Sequence, residues 1–119
     1  MTTRRVPGWP ASLPPQSSAE FRERVAPWLL DRCAPETRAL ETVRAQPLVL
    51  AALALAQQSA ALDSVRAVYR SARITVLPDM EPKIAAAVVA DLEALGARLA
   101  ADLREVSLVA RALGLEHKG

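Results

Sequence analysis

The side chains best suited to nucleophilic chemistry are Cys33 and His117, the one cysteine and the one histidine of the sequence. A cysteine–histidine pair needs hydrogen-bond contact and a third group that orients the base. Cys33 stands two residues before Pro35, and His117 lies close to the C-terminus. Nothing around either residue indicates that they meet. We therefore predict no nucleophilic site, and we interpret Cys33 as a small apolar residue.

Acid–base, metal and phosphate chemistry have equally little support. The carboxylates of one predicted helix alternate with arginines, which is typical of a solvated, salt-bridged surface. Only Asp102 among them is placed for the burial that would shift a pKa. Metal sites need several converging ligands, and phosphate sites need a glycine-rich loop. We expect no metal, no cofactor and no enzymatic activity. The carboxylates are Asp91, Glu93, Asp102 and Glu105.

One basic stripe could bind an anion. Arg66, Arg70 and Arg73 recur at helical spacing beside Tyr69, and three arginines on one face could contact phosphates. No recognition-helix motif surrounds them, and aromatic stacking platforms are missing. The competing interpretation is a solvated face that pairs with acids of a neighbouring helix. Nucleic acid is therefore a weak alternative partner.

Composition indicates an all-α protein. The chain has 119 residues, of which 24 are alanine and 17 leucine, with four aromatic residues. Alanine and leucine favour helices, and strand formers are sparse. The net charge of +2 is too small to indicate nucleic acid by itself. A single cysteine and the absence of an apolar run behind Arg4 and Arg5 predict a cytoplasmic protein without a secretory signal.

Prolines divide the N-terminal third. Four prolines within residues 1–17 predict a disordered or extended tail, with an arm that docks Trp9 as the alternative. Residues 18–119 are expected to form one helical domain. Ser17 and Glu20 form a capping-box pattern that starts a helix over about 18–33, with a kink or restart at Pro27.

Proline and glycine also delimit the remaining helices. Pro35 starts a short helix over about 35–45, with its apolar residues turned inward. Pro47 starts a long helix over about 47–77. A second long helix over about 80–113 begins with Asp79 as N-cap and ends at Gly114 in a Schellman motif. The inward residues of the short helix would be Ala39, Leu40 and Val43.

The two long helices are predicted to form an antiparallel, coiled-coil-like hairpin. Each carries apolar residues seven apart over four repeats, and the connection between them is only a few residues long. The short N-terminal helices would pack at the open end. The first series is Leu48, Leu55, Leu62, Tyr69 and Val76; the second is Ala85, Leu92, Leu99, Val106 and Leu113.

Two polar residues interrupt the predicted seam. Gln58 and Asp102 fall in adjacent layers of it, where a polar group sets register at some cost in stability. We predict that they lie near each other or share a water. The alternative is that helix drift turns both toward solvent.

Three functions follow from these patterns. The first is a non-enzymatic interaction or adaptor module, a homodimer or a partner of another helical protein. Its surface would be either the apolar open end, with Leu50, Leu53, Leu103 and Leu108, or the more polar arm at the turn between the long helices. Surplus apolar helix surface supports it. The second is a nucleic-acid accessory protein using the arginine stripe. The third is an enzyme or cofactor-binding bundle with a cavity in the seam, lined by Gln58, Asp102 and Tyr69. Membrane insertion is not expected, since polar residues dilute the uncharged stretch 45–62.

Overall fold

The computed structural model describes residues 6–115, which contain four α-helices and no strand. The helices are α1 (Glu20–Leu30), α2 (Glu41–Arg44), α3 (Pro47–Thr75) and α4 (Pro82–Ala112). Short 3₁₀ turns at Pro35–Ala39 and Leu77–Asp79 lie before α2 and between the two long helices. The long helices α3 and α4 pack against each other, and α1 packs against α3. The all-α prediction is therefore confirmed.

Proline and glycine set the ends of the long helices. Pro47 and Pro82 are first-turn residues of α3 and α4, where a missing N–H has no helical partner to lose. Gly114 has φ +94°, and the N–H of Leu115 donates to the Ala110 carbonyl at 2.9 Å. This is the predicted Schellman stop. The predicted N-cap Asp79 is wrong, because the cap position is Glu81.

The N-terminal helices differ from the prediction in detail. Pro27 lies inside a continuous α1, where it is exposed, and the burial of Phe21, Trp28 and Leu29 offsets the lost backbone bond. The hydroxyl of Ser18, and not of Ser17, accepts from the backbone N–H of Glu20 at 3.2 Å.

The predicted helix over 35–45 is two pieces. The chain leaves helical geometry at Leu40, with φ −96° and ψ 83°. Leu40 is 48% exposed and Ala39 is also exposed, and the buried side chain of this segment is Thr37. Short helices have too few internal bonds to persist without packing, so this connection follows its tertiary contacts.

The described part of the predicted tail, residues 6–17, contains turns but no helix or strand and packs into the core; residues 1–5 of that prediction lie outside the described residues. Trp9 is 9% exposed and Leu13 is 1% exposed, and both belong to the core. The rings of Trp9 and Phe21 lie 5.9 Å apart between centroids. Gln16 donates to the Ala112 carbonyl at 2.7 Å. The alternative that Trp9 docks on the helices describes this segment.

Burial is concentrated at one end of the long helices. The buried residues of α3 are Leu50, Ala51, Ala54 and Leu62, and those of α4 are Val106, Val109 and Ala110. No residue from 63 to 105 is buried. The radius of gyration is 17.5 Å, against about 13.5 Å for a compact globule of this length. The half of α3 and α4 nearer residues 76–81, called the turn end below, therefore stands out from the core.

Candidate interaction surfaces

The predicted open-end surface is only partly available. Leu50 is 0% exposed and lies in the core, and α1 packs against α3. Leu108 packs against the same core, and a Cβ placed at Gly8 would lie 3.3 Å from its side chain. Leu53 and Leu103 are half-buried. The four leucines thus do not form one free patch.

An apolar groove between α3 and α4 contains Leu103. Its volume is about 630 Å³. The lining is mostly small and apolar, with Asp63 and Arg111 as its charged members. Small side chains let another helix approach closely. The lining residues are Ala52, Leu55, Ala56, Ser59, Ala60, Asp63, Leu103, Ser107, Ala110, Arg111 and Leu115.

The outer face of α3 beside this groove is apolar and exposed. Leu48 and Val49 are 49% and 44% exposed, and residues 47–62 carry no charge. Among the described helices α3 alone has the length and composition that could cross a membrane, and 22% of its most apolar 18-residue window is buried. A core helix of a soluble protein would have most of that window covered.

A second, smaller pocket lies between α3 and α4 at the turn end. Its volume is about 350 Å³, and the apolar side chains of Val65 and Leu92 and the ring of Tyr69 line it beside Gly96. The remaining lining residues are Arg66, Arg70 and Glu93.

The predicted basic stripe lies at this pocket. Arg66, Arg70 and Arg73 are exposed, and the Arg73 guanidinium carbon lies 5.8 Å from the centre of the Tyr69 ring. Within residues 6–115 the one ion pair joins Arg38 and Asp31 at 2.7 Å. The expected pairing of the stripe with acids of the neighbouring helix is therefore not formed in this part of the chain.

Gln58 and Asp102, the two polar residues of the predicted seam, both interact with Arg32, which follows α1. The sequence analysis did not indicate this partner. The amide nitrogen of Gln58 donates to the Arg32 carbonyl at 3.0 Å. Asp102 and Glu105 interact electrostatically with the Arg32 guanidinium. That Gln58 and Asp102 lie near each other or share a water stays a prediction. An arginine at the end of an amphipathic helix looks solvated in sequence, so no local pattern indicated this role.

Arg32 is partly buried and lies against the ring of Trp28. Its guanidinium carbon lies 3.6 Å from the centre of the Trp28 ring, and its Nη1 donates to the Trp28 carbonyl at 3.0 Å. Desolvation by burial lowers the pKa of Arg32, and the charges of Asp102 and Glu105 oppose that shift. Within residues 6–115, Arg32 Nε and Gln58 Oε1 are buried without a hydrogen-bond partner.

The residues considered for chemistry do not converge. Tyr69 lies eleven residues beyond Gln58 on α3, about 16 Å along the axis, so the two do not share the cavity proposed from sequence. Cys33 is half-buried, with its sulfur 3.7 Å from the Leu50 carbonyl. His117 lies outside the described residues. Residues 6–115 hold no group of three His, Cys, Asp or Glu that could bind a metal.

Cys33 should react slowly with alkylating agents. Burial raises the pKa of its thiol, and the thiolate is the reactive form. We expect iodoacetamide to modify the folded protein several-fold more slowly than the guanidinium-unfolded chain at pH 8. The difference should shrink as the pH rises through the raised pKa. Equal rates in the two states, followed by mass spectrometry, would contradict this prediction.

Comparison with known proteins adds no functional information. No known protein family, no curated protein and no solved structure matches the chain.

Proposed function

We propose that this chain is a non-enzymatic helical interaction module that self-associates through the uncharged half of α3 and the adjoining groove. The observation that carries the proposal is an exposed apolar helix surface beside a core that is already complete. Leu48, Val49 and Ala56 are exposed, while the core side of the same helix is filled by α1 and the N-terminal segment. Large exposed apolar patches on a folded chain are typical of interfaces.

In this proposal α3 and α4 form an antiparallel, coiled-coil-like hairpin. The short connection 76–81 supports that arrangement, and so do the two grooves. Residues 65–70 share a pocket with residues 92–96, and residues 52–63 share a groove with residues 103–115. Residues later in α3 therefore lie beside residues earlier in α4, as an antiparallel pair requires.

Charge supports a second copy as the partner. Residues 47–62 run for about 24 Å of helix without a charged side chain, so an unpaired charge opposite them would lose its hydration. No other described helix has an uncharged run as long, and the longest, in α4, covers residues 84–90. The α3 helix of a second copy is uncharged over the same residues, and a two-fold axis would place the two identical surfaces together. A cytoplasmic location and the absence of catalysis belong to the same proposal.

The absolute mass in solution tests self-association. We expect size-exclusion chromatography with light scattering to give a species of twice the chain mass of 12.8 kDa at micromolar concentration. Ala56→Glu puts a carboxylate on the proposed interface in both copies and should raise the dimer Kd at least tenfold, or about 1.4 kcal/mol. Ala94→Glu, an exposed position of α4 that lines neither groove, is the matched control. A monomer at every concentration up to millimolar would overturn the proposal.

A further inference from the structure

Gly96 lines the turn-end pocket between α3 and α4. Gly96 stands in the middle of α4 and has no positive φ, so the backbone does not require glycine there. A Cβ built at Gly96 meets nothing within 4 Å, so packing does not require it either. Glycine inside a helix costs about 0.5–1 kcal/mol relative to alanine. Its missing side chain leaves open space at the edge of the pocket.

The pocket has an apolar floor, and two arginines without an ion-pair partner in the described residues line one side of it. The floor consists of Val65, Leu92 and the half-buried ring of Tyr69, and Arg66 and Arg70 line its α3 side. Neither arginine makes an ion pair within the described residues. Glu93, on the α4 side, is the one acid of the lining. A ligand that fits must bring an apolar group for the floor and anionic groups on one side only.

We propose that this pocket binds an acidic peptide segment of another protein, which inserts one apolar or aromatic side chain over Val65 and Leu92 and places its carboxylates on Arg66 and Arg70. Guanidinium groups bind carboxylates in a bidentate manner, and a pocket of about 350 Å³ accommodates one such side chain. This site is distinct from the proposed self-association surface on the other half of the hairpin.

A peptide fits better than a nucleic acid or a bilayer. A phosphate backbone presents charge at regular spacing and would meet Glu93 as well as the arginines. Single-stranded nucleic acid is bound on several aromatic rings, whereas this pocket has the ring of Tyr69 alone. A bilayer is flat on this scale and cannot enter a concave pocket between two helices.

Fluorescence anisotropy tests the proposal with a pool of labelled short peptides that carry a central Phe or Leu flanked by Asp and Glu. Competing probes are the same pool flanked by Lys, a single-stranded oligonucleotide and vesicles containing phosphatidylserine. We expect the acidic pool to bind, with affinity falling as salt rises. Gly96→Leu fills the pocket and should weaken binding at least about tenfold. The double variant Arg66→Gln/Arg70→Gln should do the same.

Ala94→Leu adds the same side chain two residues away, at an exposed position outside the pocket, and should leave affinity unchanged. Because the space at residue 96 is empty, Gly96→Leu should keep its helical circular dichroism. The proposal is overturned if the Lys-flanked pool binds as well as the acidic pool, or if Gly96→Leu binds like the unaltered protein. Tighter binding of the oligonucleotide or the vesicles, or no peptide binding up to millimolar, would also overturn it. These readouts do not depend on the mass of the assembly, so this proposal and self-association can fail separately.

Discussion

Replacing Trp9 with alanine should destabilise the fold by about 4 kcal/mol, within the range for large aromatic residues lost from a core. The indole is 9% exposed and packs against Phe21. Its Nε1 donates to the carbonyls of Leu13 and Pro14, each at 3.1 Å. We expect the thermal midpoint, followed by circular dichroism at 222 nm, to fall by about 15 °C.

Two variants separate packing from hydrogen bonding in the same segment. Trp9→Phe keeps most of the apolar contact and loses the indole N–H, so it should cost about 1 kcal/mol. Val6→Ala removes a side chain that is 48% exposed and should stay within about 0.5 kcal/mol of the unaltered protein. A Trp9→Ala midpoint equal to that of Val6→Ala would show that the N-terminal segment does not belong to the core.

Two further hydrogen bonds hold the N-terminal segment on the helices, and we expect the loss of Trp9 to weaken them as well. The indole nitrogen of Trp28 donates to the Ser12 hydroxyl at 2.8 Å, and Gln16 bonds a terminal carbonyl of α4. These contacts tie a segment without helix or strand to α1 and α4 at once. Loss of Trp9 therefore releases polar contacts along with apolar area, which is why the expected cost lies well above that of an exposed residue.

The parts of the fold that could be predicted are those governed by local chemistry. Pro47 and Pro82 begin the long helices, and Gly114 ends the second, as each residue's backbone preference dictates. The seven-residue apolar spacing indicated that these helices pack together. The spacing does not predict burial at the two ends of the first series, because Leu48 and Val76 are 49% and 47% exposed.

The packing of the N-terminal segment depends on contacts that are distant in sequence. Its prolines exclude a helix, and sequence offers no measure of whether Trp9 finds a cavity to fill. Leu50, predicted to lie on the open-end surface, is likewise buried in the core, where α1 packs against α3. The free apolar surface instead lies on the outer side of α3 and in the groove at Leu103.

The turn-end pocket depends on a residue that sequence analysis passed over. An isolated glycine in a helical pattern lowers helix stability and can have a packing or functional reason. Gly96 carried that signal, but only the empty space beside it distinguishes an open pocket from a close helix contact. Arg66 and Arg70 of the predicted stripe line the pocket beside Val65 and Leu92, which no linear pattern joins to the arginines.

Replacing Arg32 with methionine should destabilise the protein by about 2 kcal/mol, since it removes a partly desolvated cation–π contact and a charged hydrogen bond. Methionine keeps the length of the apolar stem against Trp28 but leaves Asp102 and Glu105 without the cation beside them. Arg38→Met is the matched control. Its ion pair with Asp31 has side chains 56% and 64% exposed, and exposed pairs contribute less than about 1 kcal/mol. Urea unfolding of both variants gives the comparison.

A double-mutant cycle tests whether the loss of stability in Arg32→Met comes from the interaction of Arg32 with Asp102. Asp102→Asn removes the carboxylate that acts most strongly on Arg32. In the unaltered protein this change should destabilise, because Arg32 then lies partly buried with less compensating charge. In the Arg32→Met background it should be neutral or stabilising, because the carboxylate no longer has its cation. The two results should differ by about 1 kcal/mol. Strict additivity would instead mean that Arg32 stabilises the fold through Trp28 alone, and that Asp102 has no part in joining α1 to α4.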